Sequence, residues 1–453
     1  MNALAALIVT AVILVVLAGP RRWALLAIVA GALYVTQTEA VNMGGFNMWA
    51  SRFFELAGFL RVMFRREFSF RQMNRIDHAL IWLYLYSTVV FLLRSKDGQA
   101  YQIGTAVDAC LCYFTFRGLL RDMEDFRWLL GRLVLLLAPY ALLVLAESHM
   151  GHNPFAILGG IEGGDEWVRK GRPRCFGSFR QPDTLGMFAA SFVPLFVGMA
   201  CISKERRRAL FGLGLCLMIA WAANSGAETA ATAAGLVCWG FWRYRRKMRQ
   251  VRWGLVAFFV VLALVMKAPV WYILARASSV TGGNGWHRSY LIDMAYSHIG
   301  QWWLAGVPIT ETGGWFPYGL SATGGADITN QFISFGLTGG LGAMALFILL
   351  LTRAFGELGK ALAAVRAGAS KPASAEFLLW GLGVMLTVHI INWCGITYFD
   401  QMEMFWLMQL AAIANLSANC LAWPLEADRA ADLPGQPEIL ESEARFPSEV
   451  PQT

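Results

Sequence analysis

Apolar runs long enough to cross ~30 Å of hydrocarbon recur along most of this chain, and that repetition constrains its fold more than any other feature. Thirteen runs stand out between Ala3–Gly19 and Met402–Leu421, among them Trp128–Ala146, Thr184–Ile202, Ala227–Phe241, Trp253–Val270, Gln331–Leu351 and Phe377–Ile396. In lipid every backbone polar group must be bonded internally, so runs of this length fold as helices. The expected fold is an all-α polytopic membrane protein of about 12 transmembrane helices (12–13), with two sizeable outer loops. Composition agrees, with 15% charged residues against roughly 25% in a soluble domain. Phe46–Phe64 carries Arg52, Glu55 and Arg61 and can span or lie in the interface. Thirteen spans put the N-terminus outside and twelve put it inside; twelve is the expectation. The first run lacks a basic leader and meets Pro20-Arg21-Arg22 and a second apolar run, so it reads as retained rather than as a signal peptide.

Short-loop cations orient the chain, because Lys and Arg accumulate on the cytoplasmic side. Lys204 to Arg208 and Arg243 to Arg252 form two clusters separated by two short apolar runs, so both lie inside. Counting spans from them places the polar segments at about 147–183 and 271–329 on the outer face. The net charge of +8 sits mostly in short loops. It therefore reports topology, and no nucleic-acid partner is implied. Membrane lipids are the surrounding partner. The transmembrane unit is expected over 1–423. The remaining 424–453, with five Pro, seven acids and two Arg, reads as a disordered acidic cytoplasmic tail. No C-x-x-C zinc pattern is present, and no metal site or other cofactor is expected.

The outer stretch W-V-R-K-G-R-P-R-C-F-G-S-F-R-Q-P-D-T-L-G carries Arg169, Lys170, Arg172, Arg174 and Arg180. Cations there run against the usual bias. An anionic ligand explains them, and so does a solvated basic loop. The second loop holds His287 and Arg288 in G-G-N-G-W-H-R-S-Y-L-I-D-M-A. It continues through a Gly-rich, lid-like G-G-W-F-P-Y-G-L-S-A-T-G-G and closes with Asp327, Thr329 and Asn330 before the next span. Singly, each residue has a plain reading: Arg288 snorkels or pairs with Asp293, His287 stays solvated, and Asn330 caps a helix. Jointly, arginines from two loops converging on one anion suit a lipid-linked sugar diphosphate, whose leaving group gains negative charge as its bond to sugar breaks. Arginine keeps its charge and grips two phosphate oxygens with one planar fork. No Asp-x-Asp pair for a divalent metal is present on the outer loops.

Three blocks resemble the O-antigen ligase and polysaccharide polymerase superfamily of bacterial inner membranes. They are R-P-R-C-F-G-S-F-R-Q-P-D-T-L-G, then W-H-R-S-Y-L-I-D-M-A with W-W-L-A-G-V-P, and D-I-T-N-Q-F-I-S-F-G-L-T-G-G. The resemblance covers residues 100 to 420. It implies about twelve helices with periplasmic loops, and inverting, metal-independent transfer of a glycan from undecaprenyl diphosphate to an acceptor hydroxyl. Polysaccharide-export or chain-length partners are implied too. Carried over, Arg174 and Arg288 bind the diphosphate, Arg172 and Arg180 are second candidates, and Asn330 matches the Asn of the closing block. The family's His before that Asn is Thr329 here, and its Pro-Asn is Pro182-Asp183. Thr is no general base near neutral pH, so Asp327 or His287 substitutes, or no side-chain base is needed. The loss of His favours an exopolysaccharide or O-antigen polymerase over a ligase onto lipid A-core. A transporter or lipid flippase is the alternative of another class, with Asp108, Arg117 and His389 as mid-span candidates. A non-catalytic scaffold is the third.

Overall fold

A computed structural model describes residues 2–38, 40–43, 46–169, 171–281, 283–315, 324–367 and 373–431. Lys170, residues 316–323 of the expected lid-like loop, and tail residues 432–453 lie outside the described residues. Each of the thirteen apolar runs is mostly helix, though Phe46–Phe64 opens with a short strand, Phe46–Met48, before its helix begins at Ala50. In order the helices are α1 (Ala3–Ala18), α2 (Arg21–Tyr34), α3 (Ala50–Phe64), α4 (Arg75–Arg94), α5 (Gln99–Leu119), α6 (Met123–Met150), α7 (Pro182–Ala200), α8 (Arg206–Ala223), α9 (Gly226–Gly240) and α10 (Met248–Val265). After the short helices α11 (Ile273–Thr281), α12 (Gly285–Ser297) and α13 (Ile299–Trp302) come α14 (Gln331–Ala367), α15 (Ala373–Trp393) and α16 (Asp400–Ala431).

The architecture is that of an all-α membrane protein, but seven helical stretches among the described residues are long and apolar enough to cross a bilayer, not twelve. Three causes account for the difference, the first being that α5 and α8, of 21 and 18 residues, are long enough but too polar or charged along their length. Helices such as α1 and α2, of 16 and 14 residues, rise only ~24 Å or less at 1.5 Å per residue. In addition, Ala227–Phe241 and Trp253–Val270 are joined by a 3₁₀ turn, Phe241–Lys247, into one stretch, Gly226–Val265. At the C-terminus α16 runs on to Ala431, so helix covers the first residues of the expected tail.

The core is built around α7, nearly all of which is buried. Phe188 packs tilted and Phe192 edge-on against Phe405 of α16, with ring centroids 4.5 Å and 6.0 Å apart. Pro194 sits inside α7, and its carbonyl accepts the Trp239 indole N–H at 3.1 Å, tying α9 to α7. Charge pairs gather at one end of the bundle. Arg21 and Arg22 bind Asp125, Arg61 binds Glu67, and Arg117 binds Asp77. The two long polar segments share the opposite end, where Arg180 pairs with Asp400 and the α14 N-terminus meets the α15–α16 connection.

There α14 is not continuous. Gly339 and Gly340 break it, Gly340 at φ +71, and the Leu304 carbonyl oxygen lies 2.3 Å from where a β-carbon on Gly340 would stand. Only glycine accepts both the left-handed backbone and that approach. The Leu337 carbonyl freed by the break accepts from Arg94 and from the Val307 N–H, each at 2.9 Å. The second long polar segment is thereby docked onto α4 and α14. Both mid-span acids and cations named from sequence are paired across helices: Asp108 with Arg52 at 2.8 Å and Arg117 with Asp77 at 2.7 Å.

Candidate functional site

The basic stretch is held by its own backbone. A short hairpin pairs Val168–Arg169 with Arg172–Pro173. Asn224, at the end of α8, donates to the Arg169 and Arg172 carbonyls at 2.9 and 3.2 Å. Beyond the hairpin, Glu147 of α6 accepts the N–H groups of Phe176 and Gly177 at 2.7 and 2.9 Å, and Gln401 of α16 donates to the Ser178 carbonyl at 2.9 Å. The loop is therefore pinned to the bundle on two sides, and a cation on it is fixed in place rather than waving in solvent.

Arg174 projects from this pinned loop. It lies over Trp167 at 5.6 Å, borders a small cavity with Glu147, Asn153 and Trp167, and is ion-paired to Asp183 in the first turn of α7. Its Nε has no hydrogen-bond partner among the described residues. Arg169 shares the surroundings. Burial, and then Arg174, hold its guanidinium below the ordinary range; Arg288 acts in the same direction, while Asp183 and Glu228 oppose. Those causes put three arginines and two acids in one electrostatic neighbourhood, drawn from the hairpin, α7, α9 and α12.

Arg288 reaches it from α12. Its guanidinium lies across Gly395 in the α15–α16 connection, with Nη1 2.9 Å from where a β-carbon would stand. Any side chain at 395 would push it away. The same connection meets the start of α14. Asn330 caps that helix by accepting the Ile333 N–H at 3.1 Å and donates to the Cys394 carbonyl at 3.4 Å, while Gln331 accepts the Tyr398 N–H at 2.8 Å. Asn330 thus fills the plain role of a cap at the border of the Arg288 site. The Thr329 hydroxyl beside it is buried without a partner among the described residues. His287 and Asp327 are close enough to interact. Burial holds the imidazole below its ordinary value, Asp327 pulls it up, and Arg288 pushes it down.

No protein-family model matches this chain, and no curated protein matches it. The site has to be read from its own residues.

Two of the nominated arginines are engaged elsewhere. Arg172 lies 4.4 Å over Trp221 and bonds Asn224 at 3.2 Å, on the end of α8. Arg180 is ion-paired to Asp400 at the start of α16 and lies 5.8 Å from the Phe399 ring. The residue that sequence reasoning missed is Glu228, in the first turn of α9. It is fully buried, and neither carboxylate oxygen has a hydrogen bond among the described residues; Ser225 lies beside it but out of bonding geometry. It fills the space that a side chain at Gly186 would need, its Cγ 2.5 Å from that β-carbon position. An acid at the head of the otherwise apolar run Ala227–Phe241 was the available signal.

Proposed function

We propose that this protein transfers a glycan, with inversion, from undecaprenyl diphosphate to an acceptor hydroxyl at the periplasmic face of a bacterial inner membrane, extending an exopolysaccharide or O-antigen chain as a polymerase. One observation carries the reading: Arg174 and Arg288, 114 residues apart in the chain, both stand near enough to Arg169 to act on its charge. A sugar leaving its carrier puts new charge on the diphosphate. Fixed cations stationed there favour the transition state over the bound donor. One guanidinium about 4 Å away at an effective dielectric near 20 interacts by up to ~4 kcal/mol before desolvation. Each ~1.4 kcal/mol realised only in the transition state is tenfold in rate.

The test is transfer by purified protein in nanodiscs, given undecaprenyl-diphosphate oligosaccharide of the native repeat, alone and then with lipid A-core. A ladder of lengthening products from donor alone supports the polymerase. Product only with lipid A-core assigns a ligase instead. No transfer by folded protein under either condition, with donor flipping in liposomes, replaces the reading by a flippase.

A twelve-span topology with both long loops periplasmic belongs to the same proposal. It is supported by their shared end of the bundle, opposite the Arg117–Asp77 and Arg21–Asp125 pairs. Cys201 is exposed next to the Lys204–Arg208 cluster, and Cys175 is buried in the basic loop, where burial pushes its thiol up to about 12. A membrane-impermeant maleimide is expected to label Cys201 in inside-out vesicles but not in spheroplasts, and Cys175 in neither. Labelling of Cys201 in spheroplasts would invert the topology.

A further inference from the structure

The pocket is closed on itself. Arg174 and Asp183 neutralise one another while both remain open to the outer end, with 14% and 22% of their side chains exposed. A donor diphosphate that takes Arg174 must therefore displace Asp183. Behind them stands Glu228 of α9, packed on Gly186 one turn along α7 from Asp183, a fully buried carboxylate with no well-formed hydrogen bond among the described residues. Buried polar groups are normally satisfied. An orphaned acid facing a cationic pocket therefore marks a place built for a donor of hydrogen bonds that the free protein lacks, and a sugar hydroxyl is such a donor.

Resting on the glycan-transfer reading above, we propose that Asp183 is the proton acceptor for the attacking hydroxyl, held masked by Arg174 until the donor's diphosphate takes Arg174 away. The acceptor oxygen bonds to the anomeric carbon of the donor sugar. The bond from that carbon to the diphosphate oxygen breaks, and its electron pair leaves with the diphosphate. The hydroxyl proton moves to the Asp183 carboxylate and passes to water when the products leave. Arrival of the donor and unmasking of the base are then one event, because a single guanidinium serves both. Asp327 is exposed ahead of α14, and His287 interacts with Asp327 and Arg288 rather than with Arg174. Neither is released by donor binding in this way. Arg174 pairs with Asp183 directly, Arg169 and Glu228 interact with it from the hairpin and α9, and Arg288 of α12 acts on both Arg169 and Glu228.

The experiment is Asp183→Asn in nanodiscs, with undecaprenyl-diphosphate binding and transfer rate measured separately. Freeing Arg174 tightens binding by about two- to fivefold, the worth of a partly exposed ion pair. Losing the base lowers kcat by about 10²- to 10⁴-fold, and Asp183→Glu restores part of it. A structural role would weaken binding and turnover together, and a mere counter-ion would tighten binding and leave kcat unchanged; either result overturns the proposal. Should Asp183→Asn melt early, Asp183→Ser carries the same expectation. Wild-type protein that transfers nothing overturns the transfer reading, whereas active wild type with an unimpaired Asp183→Asn overturns this inference alone.

Discussion

Arg288→Ala is expected to lower the transfer rate by at least about 100-fold, the loss seen when one preorganised donor to a developing anion is removed, while leaving the protein folded in the membrane. The argument rests on position. Arg288 is half-buried, lies against Gly395, and forms no ion pair among the described residues. Its removal leaves no buried charge unpaired by a direct salt bridge, so the fold is spared. Arg288→Lys keeps the charge but loses the planar fork that holds two oxygens, and falls between wild type and Ala. Gly395→Leu displaces the guanidinium without touching its chemistry and should reproduce much of the Ala defect. Polymer length in cells, with membrane abundance as control, reads all three. Near-normal polymer from Arg288→Ala would remove the central support for the diphosphate site.

Asp77→Ala is expected to cost about 3–5 kcal/mol of stability, the usual result of orphaning one member of a buried pair. Asp77 is fully buried and accepts from Arg117 Nε and Nη2 at 2.8 and 2.7 Å, from the Tyr113 hydroxyl, and from the Asn74 N–H at 2.7 Å, where it completes the cap of α4. Without it the Arg117 charge remains in the bundle beside the Tyr113 hydroxyl and the Phe68 ring 5.0 Å away, with no acid to pair it among the described residues. Thermal unfolding in detergent should show a large early shift. The double variant Asp77→Ala with Arg117→Met should recover a good part of the loss, because an apolar replacement of the whole pair removes the stranded charge. A single variant that melts with the wild type would show that the pair contributes little.

These two sites differ in how much of them is legible in sequence. Arg288 could be nominated, because a cation in an outer segment of an apolar chain is conspicuous. Arg172 and Arg180 were equally conspicuous, and the fold commits them to Trp221 and Asp400 instead. Arg117 was visible as a mid-span charge, but its partner is Asp77 at the head of α4 rather than Asp108, which belongs to Arg52. Glu228 escaped notice because one acid at the start of an apolar run looks like a helix end, and only its packing against Gly186 shows it buried.

The sequence by itself determined where the helices are. In lipid each segment must bond its own backbone, so an apolar run becomes a helix whatever lies beside it, and all thirteen are mostly helix. It also determined that the chain carries an excess of arginine in the segments between them. Tertiary structure alone decided which charges act on one another: Arg169 and Arg174 from one loop, Asp183 from α7, Glu228 from α9 and Arg288 from α12. It also decided that α14 breaks at Gly339–Gly340 to dock the second long polar segment and that α9 and α10 join through a 3₁₀ turn. The reason is range. Helix formation is settled within a few turns of chain, whereas an ion pair or a carbonyl contact is settled by a few ångströms of space between residues that can be hundreds apart in sequence.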